Sequence, residues 1–277
     1  MHLYDAHNHL QDDRLAPHLA EMMAAAAREG VARMVVNGSC EEDWPQVLAL
    51  AQRYQQVIPS FGYHPWYVKE RTQDWKTTLE RCLNEVPSAI GEIGLDRWIK
   101  DYDLPQQEEV FIWQLGLAAE RGLPASIHCL QAWGRLLELL QTGPRPRRGF
   151  LLHSYGGPQE MVAPLAKLGA YFSIPGYFAH ERKARQRETF RHVPPDRLLI
   201  ETDAPDQLLP VERNRHPLTN ASSGKAINHP ANLGAVYEFV AELMGEPVGT
   251  LADLVEENFL RLFGNLNRYS ETAHQTS

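Results

Sequence analysis

Short apolar runs alternate along this chain with longer stretches whose apolar residues recur at three- and four-residue spacing. The runs are Leu3–Ala6, Ala32–Val36, Val57–Phe61, Ala89–Ile93, Pro124–His128, Phe150–His153, Ala170–Ile174 and Leu198–Thr202. Continuous apolar runs of this length, bounded by Gly, Asn and Pro, read as strands buried on both faces. Helical spacing between them predicts helices over Pro17–Glu29, Glu42–Tyr54, Trp75–Glu85, Pro105–Arg121 and Ala132–Gln141. Two more follow, one opening at Gly156-Gly157-Pro158 and closing at Gly169, the other over Ala179–Arg191. In Pro105–Arg121, Val110, Phe111, Gln114, Leu117 and Ala118 share one face, and Gly122 supplies the stop. Beyond Asp203 the pattern lapses into a loop over Gln207–Asn228, and helices resume at Pro230–Met244 and Thr250–Phe263. Thr250, with Asp253 three positions on, predicts a capping box for the last helix. Residues 1–265 are expected to form one domain, with 266–277 as a polar tail.

Strands that alternate regularly with helices lie parallel. Two architectures satisfy the pattern, an open doubly wound sheet and a closed barrel, and the polar residues choose between them. His7 and His9 follow the first strand, and Glu92 ends the fourth. His128 ends the fifth, His153 the sixth and Asp203 the eighth. In an open sheet such ends are spread along an edge, and ligands gather at a switch point between neighbours. In a barrel all eight C-terminal ends ring one mouth, where barrel enzymes do their chemistry. The expected fold is therefore α/β, a single-domain (β/α)8 TIM barrel with a metal site at the C-terminal ends of its strands.

Composition narrows the picture. The chain has 277 residues, 43% of them hydrophobic, which is ordinary for a soluble globular protein with a sizeable core. Its formal net charge of −8 is the wrong sign for general electrostatic capture of nucleic acid, so any polyanionic substrate must be held locally. Bound dications would do that, being the largest charges in their site. Cys40, Cys82 and Cys129 are scattered and fit neither a disulfide framework nor a zinc motif. No apolar run approaches the roughly 18 residues of a membrane span. The N-terminal Met-His-Leu-Tyr-Asp has no basic-then-apolar leader. A cytoplasmic protein without a membrane or obligate protein partner is expected, as a monomer or weak homodimer.

Four histidines, a glutamate and an aspartate exceed the four ligands of one zinc ion and suit two divalent ions. Glu92 has two oxygens with which to bridge a pair. His7, His9 and Asp203 would complete one ion, and His128 and His153 the other. Imidazole and carboxylate suit Zn, Mn or Fe, whereas Mg prefers oxygen. A bridging hydroxide would be the nucleophile of a metal-assisted hydrolysis, with Glu92 and Asp203 as its catalytic carboxylates and Asp203 managing the proton.

Several stretches together resemble the TatD family of metal-dependent hydrolases, within the amidohydrolase superfamily. They are Asp5-Ala6-His7-Asn8-His9, Gly62-Tyr63-His64-Pro65, Gly91-Glu92-Ile93-Gly94-Leu95-Asp96, Pro124 with His128, His153-Ser154-Tyr155-Gly156-Gly157 and Leu199-Ile200-Glu201-Thr202-Asp203-Ala204-Pro205. The resemblance spans essentially the whole chain and places the family's metal ligands on the same six residues. It implies a phosphodiesterase or deoxyribonuclease, as a 3′-to-5′ exonuclease on single strands. The alternative on the same centre is a carboxyl-ester, lactone or amide hydrolase. Departures fall at the rim. His128-Cys129-Leu130 stands where many members have His-Ser-Arg, Asn228-His229-Pro230 where Asn-Glu-Pro is typical, and Arg97-Trp98 follows Asp96 where Tyr or Phe is commoner.

Substrate contacts are expected from His64, Arg97 and Asn228, with Asp96 orienting His128 or another ligand. Arg97 is the candidate to replace the missing arginine. Arg213, Arg215 and Lys225 lie in the loop after the eighth strand and are further candidates. Trp66 and Trp98 either stack on a base or wall the pocket.

Overall fold

The structure, a computed structural model, describes residues 1–264 and Leu266. The tail expected over 266–277 lies, Leu266 apart, outside the described residues.

The eight apolar runs form eight parallel strands: β1 (Leu3–Asn8), β2 (Val31–Asn37), β3 (Val57–Phe61), β4 (Ala89–Asp96), β5 (Ala125–Leu130), β6 (Phe150–Leu152), β7 (Ala170–Pro175) and β8 (Leu198–Glu201). They pair in sequence order, β1 with β2 through to β7 with β8. The ring is completed just beyond the ladders. Asp203 N–H donates to the His7 carbonyl at 2.9 Å, and His9 N–H to the Ala204 carbonyl at 2.8 Å. The fully buried Asp5 carboxylate seals the seam below, accepting from Thr202 N–H at 2.9 Å and Thr202 Oγ1 at 2.6 Å. Burial nevertheless lifts the Asp5 pKa to about 7, and the hydrogen bonds from Thr202 and Asn8 offset only part of that rise.

The helices are α1 (Leu19–Arg28), α2 (Trp44–Arg53), α3 (Trp75–Glu85), α4 (Leu104–Arg121), α5 (Trp133–Thr142), α6 (Val162–Lys167), α7 (Ala184–Phe190), α8 (Leu233–Met244) and α9 (Val248–Phe263). They put apolar faces on the sheet. α4 follows its sequence signals closely: Asp103 caps Gln106 N–H at 3.1 Å, and Gly122, at φ 63°, ends it in the left-handed conformation. Among the described residues, no helix is long and apolar enough to cross a membrane.

Four expectations need correction. β4 runs on to Asp96, so Glu92 sits inside the strand, at a break in the β4–β5 register between Ile90 and Ile93. Its N–H donates to the Gly38 carbonyl at 2.8 Å, reaching past β3. The Ala179–Arg191 helix is broken into single turns before α7, because His180 is extended at ψ 141°. The loop after β8 contains a small hairpin, β9 (Leu218–Thr219) with β10 (Ala226–Ile227). Finally, α9 begins at Val248 after Pro247, which leaves Thr250 inside the helix rather than capping it.

Candidate metal centre

Glu92 lies at the centre of the barrel mouth, 2% exposed, with its two oxygens facing opposite groups of histidines. Oε2 is 3.3 Å from His7 Nε2 and 3.2 Å from His9 Nε2. Asp203 Oδ1 stands 3.7 Å from each of those nitrogens. Oε1 is 3.0 Å from His128 Nδ1, 2.9 Å from His153 Nε2 and 3.3 Å from His64 Nε2. The structure thus brings together all six residues picked out from strand position and adds His64, expected only at the substrate rim.

Local backbone explains the convergence. His7 and His9 share a face because side chains on a strand alternate. Asp203 turns back over the mouth in the left-handed region, at φ 51°. Gly94, at φ 151°, lets β4 and β5 close up beside His128; a Cβ there would lie 2.0 Å from the His128 carbonyl oxygen. A larger residue would push His128 away from Glu92.

The outer hydrogen bonds fix which imidazole nitrogens face inward. His9 Nδ1 is 2.8 Å from the Asn37 carbonyl, which only accepts, so Nδ1 carries a proton and Nε2 is the nitrogen turned toward Glu92. Burial opposes a charge on His9, but Glu92, Asp203 and the Asn37 carbonyl together raise its pKa to about 9. His128 Nε2 is 2.9 Å from Asp96 Oδ2. Burial works against Asp96 ionising, but His128, Trp66 and Trp98 N–H hold its pKa below the usual range. Asp96 is therefore the acceptor, and His128 Nδ1 is the nitrogen turned toward Glu92. Imidazole nitrogens that face a buried carboxylate need a proton or a metal cation between them. Glu92 itself stays ionised: burial opposes this, and His153, His64 and His7 outweigh it. Its Oε1 is buried without a hydrogen-bond partner. A proton can fill such a gap, and the pKa of His153 is accordingly raised well above normal by Glu92 and Glu201 against its own burial. Divalent cations fit the same donor set, as three overlapping groups: His7, His9 and Glu92; His7, His153 and Asp203; and His64, Glu92 and His128.

Of the remaining candidates, Asp96 meets His128 as described, and Arg97 is exposed at the rim. Asn228 is a correction. It is fully buried, its amide donating to the Thr202 carbonyl at 2.8 Å and its oxygen accepting from His229 N–H at 3.0 Å. It anchors the loop that follows β8 and has no free atom for substrate. Arg213 and Arg215 are likewise engaged elsewhere, by Glu242 and Glu238 of α8. Sequence reasoning missed Asn37 and Glu201. Asn37 backs both His7 and His9, with its amide 3.0 Å from His7 Nδ1. Glu201 Oε1 accepts from Ser154 N–H at 2.7 Å and lies 3.8 Å from His153 Nδ1. Both stand at strand ends, the same signal that exposed the ligands.

A barrel of eight parallel strands with histidines and carboxylates converging at its C-terminal mouth defines a metal-dependent hydrolase of the amidohydrolase type. The model of the family TatD related DNase matches residues 4–264, and the chain belongs to that family. It is 32% identical to the 3′-5′ ssDNA/RNA exonuclease TatD of Enterobacter lignolyticus, over 95% of this chain and 99% of that protein. It is 29% identical to the Escherichia coli K12 protein of the same name, over the same shares. Among solved structures it is similar to YJJV, a TatD homologue from Escherichia coli K12, with TM-score 0.85 and 26% identity over 95% of this chain and 98% of that one. A TatD family hydrolase from Entamoeba histolytica shares the fold, at TM-score 0.81 and 18% identity over 95% and 98% of the chains.

Proposed function

We propose that this protein is a phosphodiesterase that removes nucleotides from the 3′ end of single-stranded DNA or RNA, using two divalent ions. The observation that carries the reading is the division of Glu92, one oxygen toward each histidine group. His7, His9 and Asp203 would hold one ion. His128 and His153 would hold the other, with His64 beside them. The imidazole-rich donor set favours Zn, Mn or Fe over Mg. Bound there, such ions neutralise phosphoryl charge and lower the pKa of water.

The chain's own groups supply the rest. Asn37 and Asp96 hold His9 and His128 in one tautomer each. Asp203 keeps 10% side-chain exposure against 2% for Glu92, so it is the carboxylate open to the mouth. Its Oδ1 accepts the proton of the attacking water and returns it to the leaving 3′-oxygen. His64, packed at 4.5 Å between ring centroids against His128, sits where a phosphoryl oxygen would lie. The nucleic acid is the only partner this reading needs, in a cytoplasmic monomer or weak homodimer.

The test is stepwise shortening of 5′-labelled single-stranded DNA and RNA from the 3′ end by the metal-loaded protein, beside His128→Ala and Asp203→Asn. Cleavage that survives both substitutions belongs to a contaminant. Turnover of lactones or carboxyl esters without any nucleic acid cleavage would replace this reading with the second hydrolase class.

A further inference from the structure

Large apolar side chains are exposed at only a few places among the described residues, and four of them stand on one stretch of the rim. They are Trp66 at 45%, Trp98 at 63%, Tyr102 at 39% and Leu130 at 38% exposure. They come from the segments that follow β3 and β4 and from the end of β5, and the Trp66 ring lies 6.5 Å from that of His128. An exposed cluster of this kind marks a binding surface.

Asp96 ties the cluster to the metal centre. Its Oδ2 accepts from the Trp66 indole N–H at 2.7 Å and faces His128 Nε2 at 2.9 Å. Its Oδ1 accepts from the Trp98 main-chain N–H at 2.6 Å. The two loops are clamped together, with Lys69 Nζ donating to the Asp101 carbonyl at 2.5 Å and Arg71 Nη1 to Gln106 Oε1 at 2.7 Å. The surface is therefore preformed. Arg97 lies across it: its N–H donates to the Leu130 carbonyl at 2.9 Å, and its guanidinium is 5.8 Å from the centre of the Tyr102 ring. Unlike Arg14, Arg213 and Arg215, it makes no ion pair among the described residues.

We infer that this rim is a nucleobase platform: Trp98, with Trp66 behind it, stacks on a base next to the scissile phosphate, and Arg97 meets an adjacent phosphate. The inference rests on the nuclease reading above and names where the strand lies. Aromatic faces accept any base, so the platform favours unpaired strands without selecting sequence. A free guanidinium within an acidic chain supplies the local positive charge that the net balance lacks.

The experiment uses the full-length, metal-loaded protein with Trp98→Ala and Arg97→Gln. KM for a single-stranded oligonucleotide is expected to rise about tenfold in Trp98→Ala. Replacing the 3′-terminal nucleotides by abasic residues raises KM in the unsubstituted protein, and the ratio of the two KM values falls toward one in Trp98→Ala. Arg97→Gln reduces the salt dependence of binding by about one charge. In chelated protein, where nothing is turned over, the oligonucleotide quenches indole fluorescence, and Trp98→Ala loses most of the quench. Unchanged thermal unfolding of the variants confirms that they are folded. Nuclease activity with equal KM for natural and abasic ends, or an unchanged KM in Trp98→Ala, overturns the platform and leaves the nuclease reading standing. A protein that neither binds nor cuts oligonucleotides overturns both, and a rim that binds only a folded protein partner overturns the nucleobase assignment.

Discussion

The two sides of Glu92 are built from similar ligands but backed differently. On the Oε2 side, His7 and His9 lean on the neutral amide and carbonyl of Asn37. On the Oε1 side, His128 leans on Asp96, and Glu201 stands behind His153. A carboxylate behind an imidazole raises its basicity and fixes its orientation more strongly than an amide does. The Oε2 side compensates within the cluster, through Asp203. One half thus takes its negative charge in direct contact and the other at one remove. The expected outcome is two ions of unequal hold, the Oε1-side ion retained longer under chelation.

Substitutions can break this contrast. Glu92→Gln removes the negative charge shared by both halves and turns one of the two oxygens into an amide nitrogen, so both ions and roughly a thousandfold or more of the activity should be lost together. Elemental analysis that finds one ion retained would show the halves to be independent. Asp203→Asn should lower turnover about a hundredfold and empty only the Oε2 side, leaving one equivalent of metal. Asp96→Asn should weaken the Oε1-side ion by about 10- to 100-fold. Asn37→Ala should weaken the Oε2-side ion by less than that, and equal effects in metal titrations would erase the distinction between the two kinds of backing.

A smaller effect separates the cluster from the fold around it. Burial, with His216 and His18 nearby, lowers the His229 pKa to about 4. The unfolded chain takes a proton near the ordinary 6.5, while the folded chain refuses it until about pH 4. Stability from this residue is therefore whole above pH 6.5 and declines as pH falls toward 4. His229→Asn, which retains an acceptor for Ala231 N–H, should flatten the fall in melting temperature over that range by a few degrees. An unaltered acid profile would assign the whole of the loss to the metal centre.

Strand position was enough to find the ligands, because a closed barrel converts one-dimensional order into a ring. Every apolar run became a strand, and His7, His9, Glu92, His128, His153 and Asp203 meet because their strands do. What sequence spacing hid was depth. Glu92 looked terminal because Gly94 interrupts the apolar run, yet Gly94 is there to let β5 approach. Asn228 looked available because it lies in a polar loop, but its amide is consumed by the Thr202 carbonyl. Arginines 213 and 215 looked free because Glu238 and Glu242, their partners, lie more than twenty positions on. Long-range pairing of this kind leaves no local trace.

The seam between β1 and β8 has a consequence for the making of the protein. Asp5 and Thr202 are 197 positions apart, and the same seam carries His7 and His9 on one edge and Asp203 on the other. A ribosome that has delivered the first seven strands has released a chain with most of the metal-binding side chains but no way to gather them. Nuclease activity would then switch on late in synthesis, once the last strand latches to the first. A fragment lacking β8 would carry a hydrolase's histidines without the seam that gathers them.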